Sequence, residues 1–179
     1  MKADYLEFMG KIIDKGHTSA IPSEEVPPPP GRSWYLPHFA TYHNTKRTIR
    51  VVFDPSCEFE GLSLNTVLLP GPDLMNNLIG VLMRFRKENV AVMYDIEQMF
   101  HSFCVEPPHR DFLRFLWFED NDPSKPIVEY RMNVHLFANG PSPAVATYGL
   151  RRTAIDGEEE HGEERSQPLV KSFRFSVDC

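Results

Sequence analysis

No apolar run in this sequence approaches the roughly 20 residues that a transmembrane helix requires. The first residues form an amphipathic pattern and not a signal peptide, so we expect an intracellular protein, in the cytoplasm or nucleus, without a membrane partner. There are only three cysteines, Cys57, Cys104 and Cys179, and they show no CxxC spacing. This excludes an evident zinc site or disulfide framework, and we expect the first two to pack as small apolar side chains.

Acidic residues are missing from one long stretch, between Glu25 and Asp54. The whole chain has a net charge of −6, which by itself argues against a nucleic-acid partner. Much of the excess acid lies in residues 153–179, however, and the acid-free stretch is basic. It is therefore a candidate phosphate-contacting region. Its basic residues are Arg32, Lys46, Arg47 and Arg50.

The apolar content, 41% of the residues, is sufficient for a packed core. Helical spacing predicts a helix over residues 4–15, and the prolines of residues 22–31 predict an extended connector. Residues 33–39 and 48–53 predict a hairpin whose tip, residues 43–47, is basic.

Further along the chain, helices alternate with short strands. Helices are predicted to begin near Asp73 and at Ser142, the second running to about Arg152. Strands are predicted over residues 90–94, 113–118, 128–134 and 172–178, and an acidic loop over residues 156–168. Largely antiparallel strands mixed with helices indicate an α+β fold.

Two aspartates follow predicted strands. Asp95 comes directly after the apolar residues 90–94, and Asp178 ends the last predicted strand. Carboxylates on adjacent strands are ligands that Mg²⁺ prefers, and paired metal ions serve phosphoryl transfer. A strand that ends in aspartate is also a common structural feature, so the pattern alone leaves both interpretations open.

Several motifs follow one another at defined spacing. They are Gly-Arg-Ser-Trp-Tyr-Leu-Pro-His (31–38), Ile-Arg-Val-Val-Phe-Asp (49–54), Glu-Phe-Glu-Gly-Leu-Ser-Leu-Asn (58–65), Leu-Pro-Gly-Pro-Asp-Leu (69–74), Asp-Ile-Glu-Gln-Met-Phe-His (95–101), Phe-Leu-Arg-Phe-Leu-Trp (112–117), Tyr-Arg-Met-Asn-Val-His-Leu-Phe (130–137), Ser-Pro (142–143) and Leu-Arg-Arg-Thr-Ala (150–154). In this order they resemble the fingers and palm of a reverse transcriptase of the Pao/BEL group of LTR retrotransposons.

The resemblance implies an RNA-directed DNA polymerase with a right-hand polymerase fold, truncated before the thumb. Residues 1–31 would form an N-terminal helix and connector, residues 32–90 a fingers-like region, and residues 91–179 a palm-like region with an antiparallel sheet. The implied partners are an RNA or DNA template with its primer and deoxynucleoside triphosphates.

The resemblance also assigns site residues. Asp95 matches the first catalytic aspartate and, with Asp178, would hold Mg²⁺ or Mn²⁺. Arg50 matches the fingers arginine that contacts the incoming triphosphate, and either Lys46 or Arg47 would be the second contact.

Other positions match motif residues around the nucleotide. Phe100 matches the residue beneath the incoming sugar, where a bulky ring would exclude a ribose 2′-OH. Asp54 is expected to support the fingers. Asn65 and Pro143 match positions near the nucleotide or template, and we expect a structural role for both.

The chain departs from the family pattern at two places. The catalytic turn, aromatic-x-Asp-Asp in the family and usually followed by Cys, reads Ser176-Val177-Asp178-Cys179. Either Cys179 replaces the second aspartate or one aspartate is missing. Ala138 stands where the family usually has glycine, and its methyl group is expected to crowd the nucleotide or template.

We therefore expect impaired or absent activity. The alternatives are a non-catalytic nucleic-acid-binding or structural remnant of a retroelement, and a fragment that has no stable folded product.

Overall fold

The structure, a computed structural model, describes residues 2–28, 30–43, 48–87, 89 and 95–161. In chain order its helices and strands are α1 (Lys2–Asp14), β1 (Thr18–Ala20), β2 (His38–His43), β3 (Thr48–Phe53), α2 (Leu64–Val67), α3 (Leu78–Phe85), β4 (Arg114–Phe118), β5 (Ile127–Met132) and α4 (Ser142–His161). The prediction of a mixed fold with antiparallel strands is confirmed. The finer prediction, fingers and palm of a polymerase, stays a prediction.

The chain divides into two compact units. Unit 1 comprises Met1–Leu69 and Phe100–Ser142, and unit 2 comprises Pro70–Met99 and Pro143–Cys179. Among the described helices, none combines the length and apolar character needed to cross a membrane.

Helix α1 confirms the first predicted helix, and its apolar stripe packs into the core of unit 1. Gly16 ends the helix with a φ of 70°. The Gly16 N–H donates to the Ile13 carbonyl and the His17 N–H donates to the Ile12 carbonyl, both at 2.9 Å. This pair of hydrogen bonds is the Schellman motif, which requires a residue that tolerates positive φ.

The predicted hairpin is present, because β2 and β3 pair antiparallel along their whole length. The prediction that its first strand begins at residue 33 is wrong. Pro37 has no N–H with which to continue the β2–β3 ladder. The preceding backbone pairs instead with the start of β4, where the Leu36 N–H donates to the Arg114 carbonyl at 2.7 Å. Of the predicted hairpin tip, residues 43–47, His43 is the last residue of β2 and residues 44–47 lie outside the described residues.

A three-stranded antiparallel sheet has the order β1–β5–β4. Strands β4 and β5 confirm the two strands predicted around residues 113–134, and Phe115 lies opposite Tyr130. Strand β1 was not predicted, because three residues are too few to show an alternating pattern. It is fixed by pairing with β5 and by the Thr18 hydroxyl, which donates to the Arg131 carbonyl at 2.8 Å.

The core of unit 1 combines side chains from α1, both sheets and the segments between them. Its buried members are Met9, Ile12, Leu36, Phe53, Leu64, Val105, Leu113, Phe115, Tyr130, Met132, Val134 and Leu136. Cys57 and Cys104 are exposed, so the prediction that they pack in the interior is wrong.

In unit 2, α3 begins at Leu78 and not near Asp73. The Asn77 side chain caps it, since Asn77 Oδ1 accepts a hydrogen bond from the Ile79 N–H at 2.9 Å. The apolar side chains of this helix are exposed to solvent, with 69% of Leu78 and 50% of Leu82 accessible.

Helix α4 begins at Ser142 as predicted but continues past Arg152 to His161. The acidic loop predicted over residues 156–168 is therefore helical in its first six residues. An ion pair between Arg152 and Asp156, at 2.9 Å and one helical turn apart, supports the extension. Residues 162–168 and the strands predicted over residues 90–94 and 172–178 lie outside the described residues.

Candidate functional site

Arg50 lies in the middle of β3, opposite Thr41, with its side chain exposed. Its carbonyl accepts a hydrogen bond from the Thr41 hydroxyl at 3.3 Å, which helps to hold the strand. Among the described residues, no hydrogen bond or ion pair engages the Arg50 guanidinium. It is therefore available to a phosphate, which a guanidinium can bind through two parallel hydrogen bonds.

The chain leaves β3 through a turn held by Asp54. The Asp54 N–H donates to the Pro37 carbonyl at 2.9 Å, and Asp54 Oδ1 accepts from the Ser56 N–H at 2.9 Å. These contacts fix the end of the hairpin, as expected for a residue that supports this region.

Asn65 joins two loops of unit 1 through its side-chain amide. Its Nδ2 donates to the Ala138 carbonyl and to Ser56 Oγ, both at 2.9 Å. Its Oδ1 accepts from the Gly140 N–H at 2.8 Å. The short helix α2 presents this side chain, and the Ser63 N–H donates to Thr66 Oγ1 at its start. We call Asn65 with residues 138–140 the amide clasp.

Ala138 adopts a φ of 66°, in the left-handed region. Glycine adopts this conformation without a steric penalty, whereas a residue with a Cβ pays roughly 1 kcal/mol. Glycine would therefore fit the backbone at this position better than alanine does. The expected crowding of a nucleotide or template by the methyl group stays a prediction.

Phe100 lies in a 3₁₀ turn, Met99–Ser102, and is half-buried. Its ring contacts that of Phe137, with centroids 6.0 Å apart and planes inclined by 55°. Phe137 is exposed and directly precedes the amide clasp. The Phe100 ring is thus supported on one side without being enclosed in the core.

The same turn contains His101, whose ring packs against that of His17. The rings of His17 and His101 meet edge-to-face with centroids 4.9 Å apart, and the Nδ1 atom of each is buried without a hydrogen-bond partner. Burial, with smaller contributions from the nearby His17 and Lys15, lowers the pKa of His101 to about 4. Burial likewise lowers the pKa of His17. Both rings are therefore neutral near pH 7.

Asp95 is exposed and belongs to unit 2, whereas Arg50, Asn65 and Phe100 belong to unit 1. Asp178, Lys46 and Arg47 lie outside the described residues. The prediction that the two aspartates meet at neighbouring strand ends, facing Arg50, therefore stays a prediction. Within the described part of the chain, no group of three or more His, Cys, Asp or Glu side chains is arranged to hold a metal ion.

A buried ion-pair network at the start of β4 was not expected from the sequence. Arg114 is fully buried and forms ion pairs with Glu129 at 3.0 Å and Asp111 at 3.1 Å. Its guanidinium also donates to the Glu25 and Val26 carbonyls, at 3.0 and 2.9 Å. It thereby fixes the proline-rich connector to the sheet. No sequence signal marks it, because its partners are up to 89 residues away.

Comparisons of the chain with protein-family models and with curated proteins found no match. The motif series and the geometry of unit 1 are accordingly the two grounds for assigning a function.

Proposed function

We propose that the chain is the fingers and palm of an RNA-directed DNA polymerase, which adds deoxynucleotides to a primer on an RNA or DNA template. The observation that carries the proposal is the amide clasp together with Phe100. Asn65, Phe100 and Phe137 come from three separate stretches of the motif series, and they lie in one unit as partners of the same loop. Motif residues brought together in this way are typical of a shared site.

In this proposal Arg50 binds the triphosphate of the incoming nucleotide. Its exposed guanidinium is matched in charge and geometry to phosphate oxygens. Lys46 or Arg47 adds a second cation. Phe100 lies beneath the sugar and selects deoxyribose by excluding a 2′-OH, with its ring supported by Phe137.

Asp95 and Asp178 would hold Mg²⁺, which the resemblance implies as the cofactor. Carboxylates are suitable ligands, and Asp95 is accessible to solvent. The bound ion would supply charge neutralisation and activation of the primer 3′-OH. The remaining contribution of the protein is positioning of the nucleotide against the primer end.

Binding of a deoxynucleoside triphosphate tests the role of Arg50. The measurement is dTTP affinity in the presence of Mn²⁺ and an RNA template with a chain-terminated DNA primer. We expect Arg50→Ala to weaken binding by about tenfold or more, because it removes a charge-assisted contact. Arg86→Ala, which removes an exposed arginine outside the acid-free stretch and outside the motif series, is the control and should change little. Equal effects of the two substitutions would contradict the proposal.

A second candidate is a non-catalytic nucleic-acid-binding protein, favoured by Cys179 at the place where a second catalytic aspartate is expected. It predicts binding of a primer–template duplex that weakens steeply with salt and is not followed by nucleotide addition. Asp95→Asn would then leave duplex binding unchanged or tighter, because it removes only a negative charge.

A further inference from the structure

Unit 1 contains an open cavity of about 700 Å³ on the side of residues 33–38. This volume is within the range of small-molecule sites in proteins. It is lined by residues 33–38, residues 57–59 and Leu116. The cavity lies outside the amide clasp and does not include Arg50 or Phe100.

Hydrogen bonds hold both lining segments. The Tyr35 hydroxyl donates to Glu129 at 2.7 Å, and the backbone N–H of Trp34 donates to the Asp111 carbonyl at 3.1 Å. Phe59 and Leu62 exchange two backbone hydrogen bonds at 2.8 and 3.0 Å. The Tyr35 side chain and the backbone that carries Trp34 and Phe59 are therefore positioned without a ligand.

The lining combines three aromatic rings with a single negative charge. The rings are those of Trp34, Tyr35 and Phe59, and 70% of Phe59 is exposed. Glu58 supplies the carboxylate, and among the described residues no basic side chain forms an ion pair with it. Such an exposed aromatic surface is costly in water and is typical of a binding site.

His38 also lines the cavity without adding a positive charge. Its Nε2 pairs with the Leu116 carbonyl at 3.0 Å, and its Nδ1 pairs with the Tyr5 hydroxyl. Burial lowers the pKa of His38, so the ring is neutral near pH 7. None of the described residues that line the cavity is lysine or arginine. A phosphate group would therefore meet only negative charge here, which excludes a nucleotide subsite.

We propose that this cavity binds a small organic cation with an apolar body, such as an aryl or alkyl quaternary ammonium compound. The aromatic faces attract the cationic head through their quadrupoles. The Glu58 carboxylate adds charge complementarity, and the remaining volume accepts the apolar body. This site is independent of the polymerase proposal, because none of its residues has a role there.

The test is an NMR titration of the full chain with benzyltrimethylammonium as the probe. The indole N–H signal of Trp34, which lines the cavity, should shift and saturate during the titration. Two comparators define the ligand class. They are 2,2-dimethyl-1-phenylpropan-1-ol, a neutral compound of nearly the same shape, and phenyl phosphate, an anion.

We expect the cation to bind more tightly than the alcohol by at least about threefold, and phenyl phosphate not to bind. Glu58→Gln should weaken binding of the cation by about threefold or more and leave the affinity for the alcohol unchanged. The matched control is Glu60→Gln, an exposed glutamate two residues away that does not line the cavity. No shift at millimolar cation, equal affinity for cation and alcohol, or equal effects of the two glutamate substitutions would overturn the proposal.

Discussion

The core of unit 1 and helix α3 of unit 2 differ in the burial of their apolar side chains. In unit 1, Phe115 and Met132 are almost fully buried. In unit 2, the apolar residues of α3 are exposed, including Ile79 and Met83. Both units contain regular helices, so secondary structure alone does not distinguish them. The difference indicates that tertiary stability is concentrated in unit 1 and that α3 contributes little to it.

The arginine ion pairs of the two units also differ in burial. Arg114 of unit 1 is buried and held by two carboxylates and two carbonyls. Arg152 of unit 2 forms an exposed pair with Asp156 within one helix. A buried pair is costly to break and an exposed pair is nearly neutral, so charge deletions should distinguish the units most clearly.

The largest expected effect is that of Arg114→Ala. Removing the guanidinium takes the buried cation from Glu129 and Asp111, which retain only the Tyr35 hydroxyl and Arg131, and it leaves the Glu25 and Val26 carbonyls without a donor. This should lower the free energy of unfolding by about 3–5 kcal/mol. The control Arg152→Ala should cost no more than about 0.5 kcal/mol. Urea denaturation followed by circular dichroism measures both. Comparable losses of unfolding free energy in the two variants would show that the arginine ion pairs of the two units contribute equally to stability.

A matched pair of methionines tests packing. Met132 is 0% exposed and Met83 is 71% exposed. Met132→Ala should destabilise the protein by about 2–5 kcal/mol because it leaves a cavity in the core. Met83→Ala should change stability by less than about 0.5 kcal/mol. If Met83→Ala cost as much as Met132→Ala in the same denaturation assay, α3 would be packed and the contrast would be refuted.

The histidine pair gives unit 1 a pH dependence. The folded-state pKa of His101 is lowered to about 4. The contribution of His101 to the free energy of unfolding is therefore fully present above about pH 6.5, the pKa of histidine in the unfolded chain. It is lost as the pH falls from there toward 4. Because His101 is only partly buried, we expect its share of the loss to be on the order of 1 kcal/mol.

His101→Gln should flatten this part of the pH profile, measured by urea denaturation at neutral and mildly acidic pH. A wild-type profile that stays parallel to that of the variant would contradict the assignment.

The smallest predicted effects are those of two alanine-to-glycine substitutions, one in each unit, which should change stability in opposite directions. Ala138→Gly should stabilise unit 1 by up to about 1 kcal/mol, because it relieves the left-handed backbone at φ 66°. Ala154→Gly, in the interior of α4 in unit 2, should destabilise by about 1 kcal/mol. Thermal melts of the two variants provide the comparison, and a destabilising Ala138→Gly would contradict the strain at this position.

The elements with strong periodicity could be predicted from the sequence. Helix α1 and strands β3, β4 and β5 have clear apolar patterns, and each was found close to its predicted place. The errors lie where local signals compete. Residues 33–37 looked like strand but Pro37 diverts them to β4, and the Glu-rich end of α4 stays helical despite Gly157.

The site was harder to predict because its contacts span long distances in the chain. The motif series singled out Arg50, Asn65 and Phe100. It gave no indication that Asn65 binds a loop more than 70 residues away, or that Arg114 is buried. Such partners depend on the tertiary fold, and neither periodicity nor local spacing encodes them.

The most direct test of the proposed polymerase function is primer extension on an RNA template with Mn²⁺, using a chain in which Cys179→Asp restores the expected second aspartate. The proposal predicts nucleotide addition by this variant, abolished by a further Asp95→Asn but retained with Glu97→Gln, a nearby exposed carboxylate. Absence of addition by Cys179→Asp, or addition that survives Asp95→Asn, would contradict it.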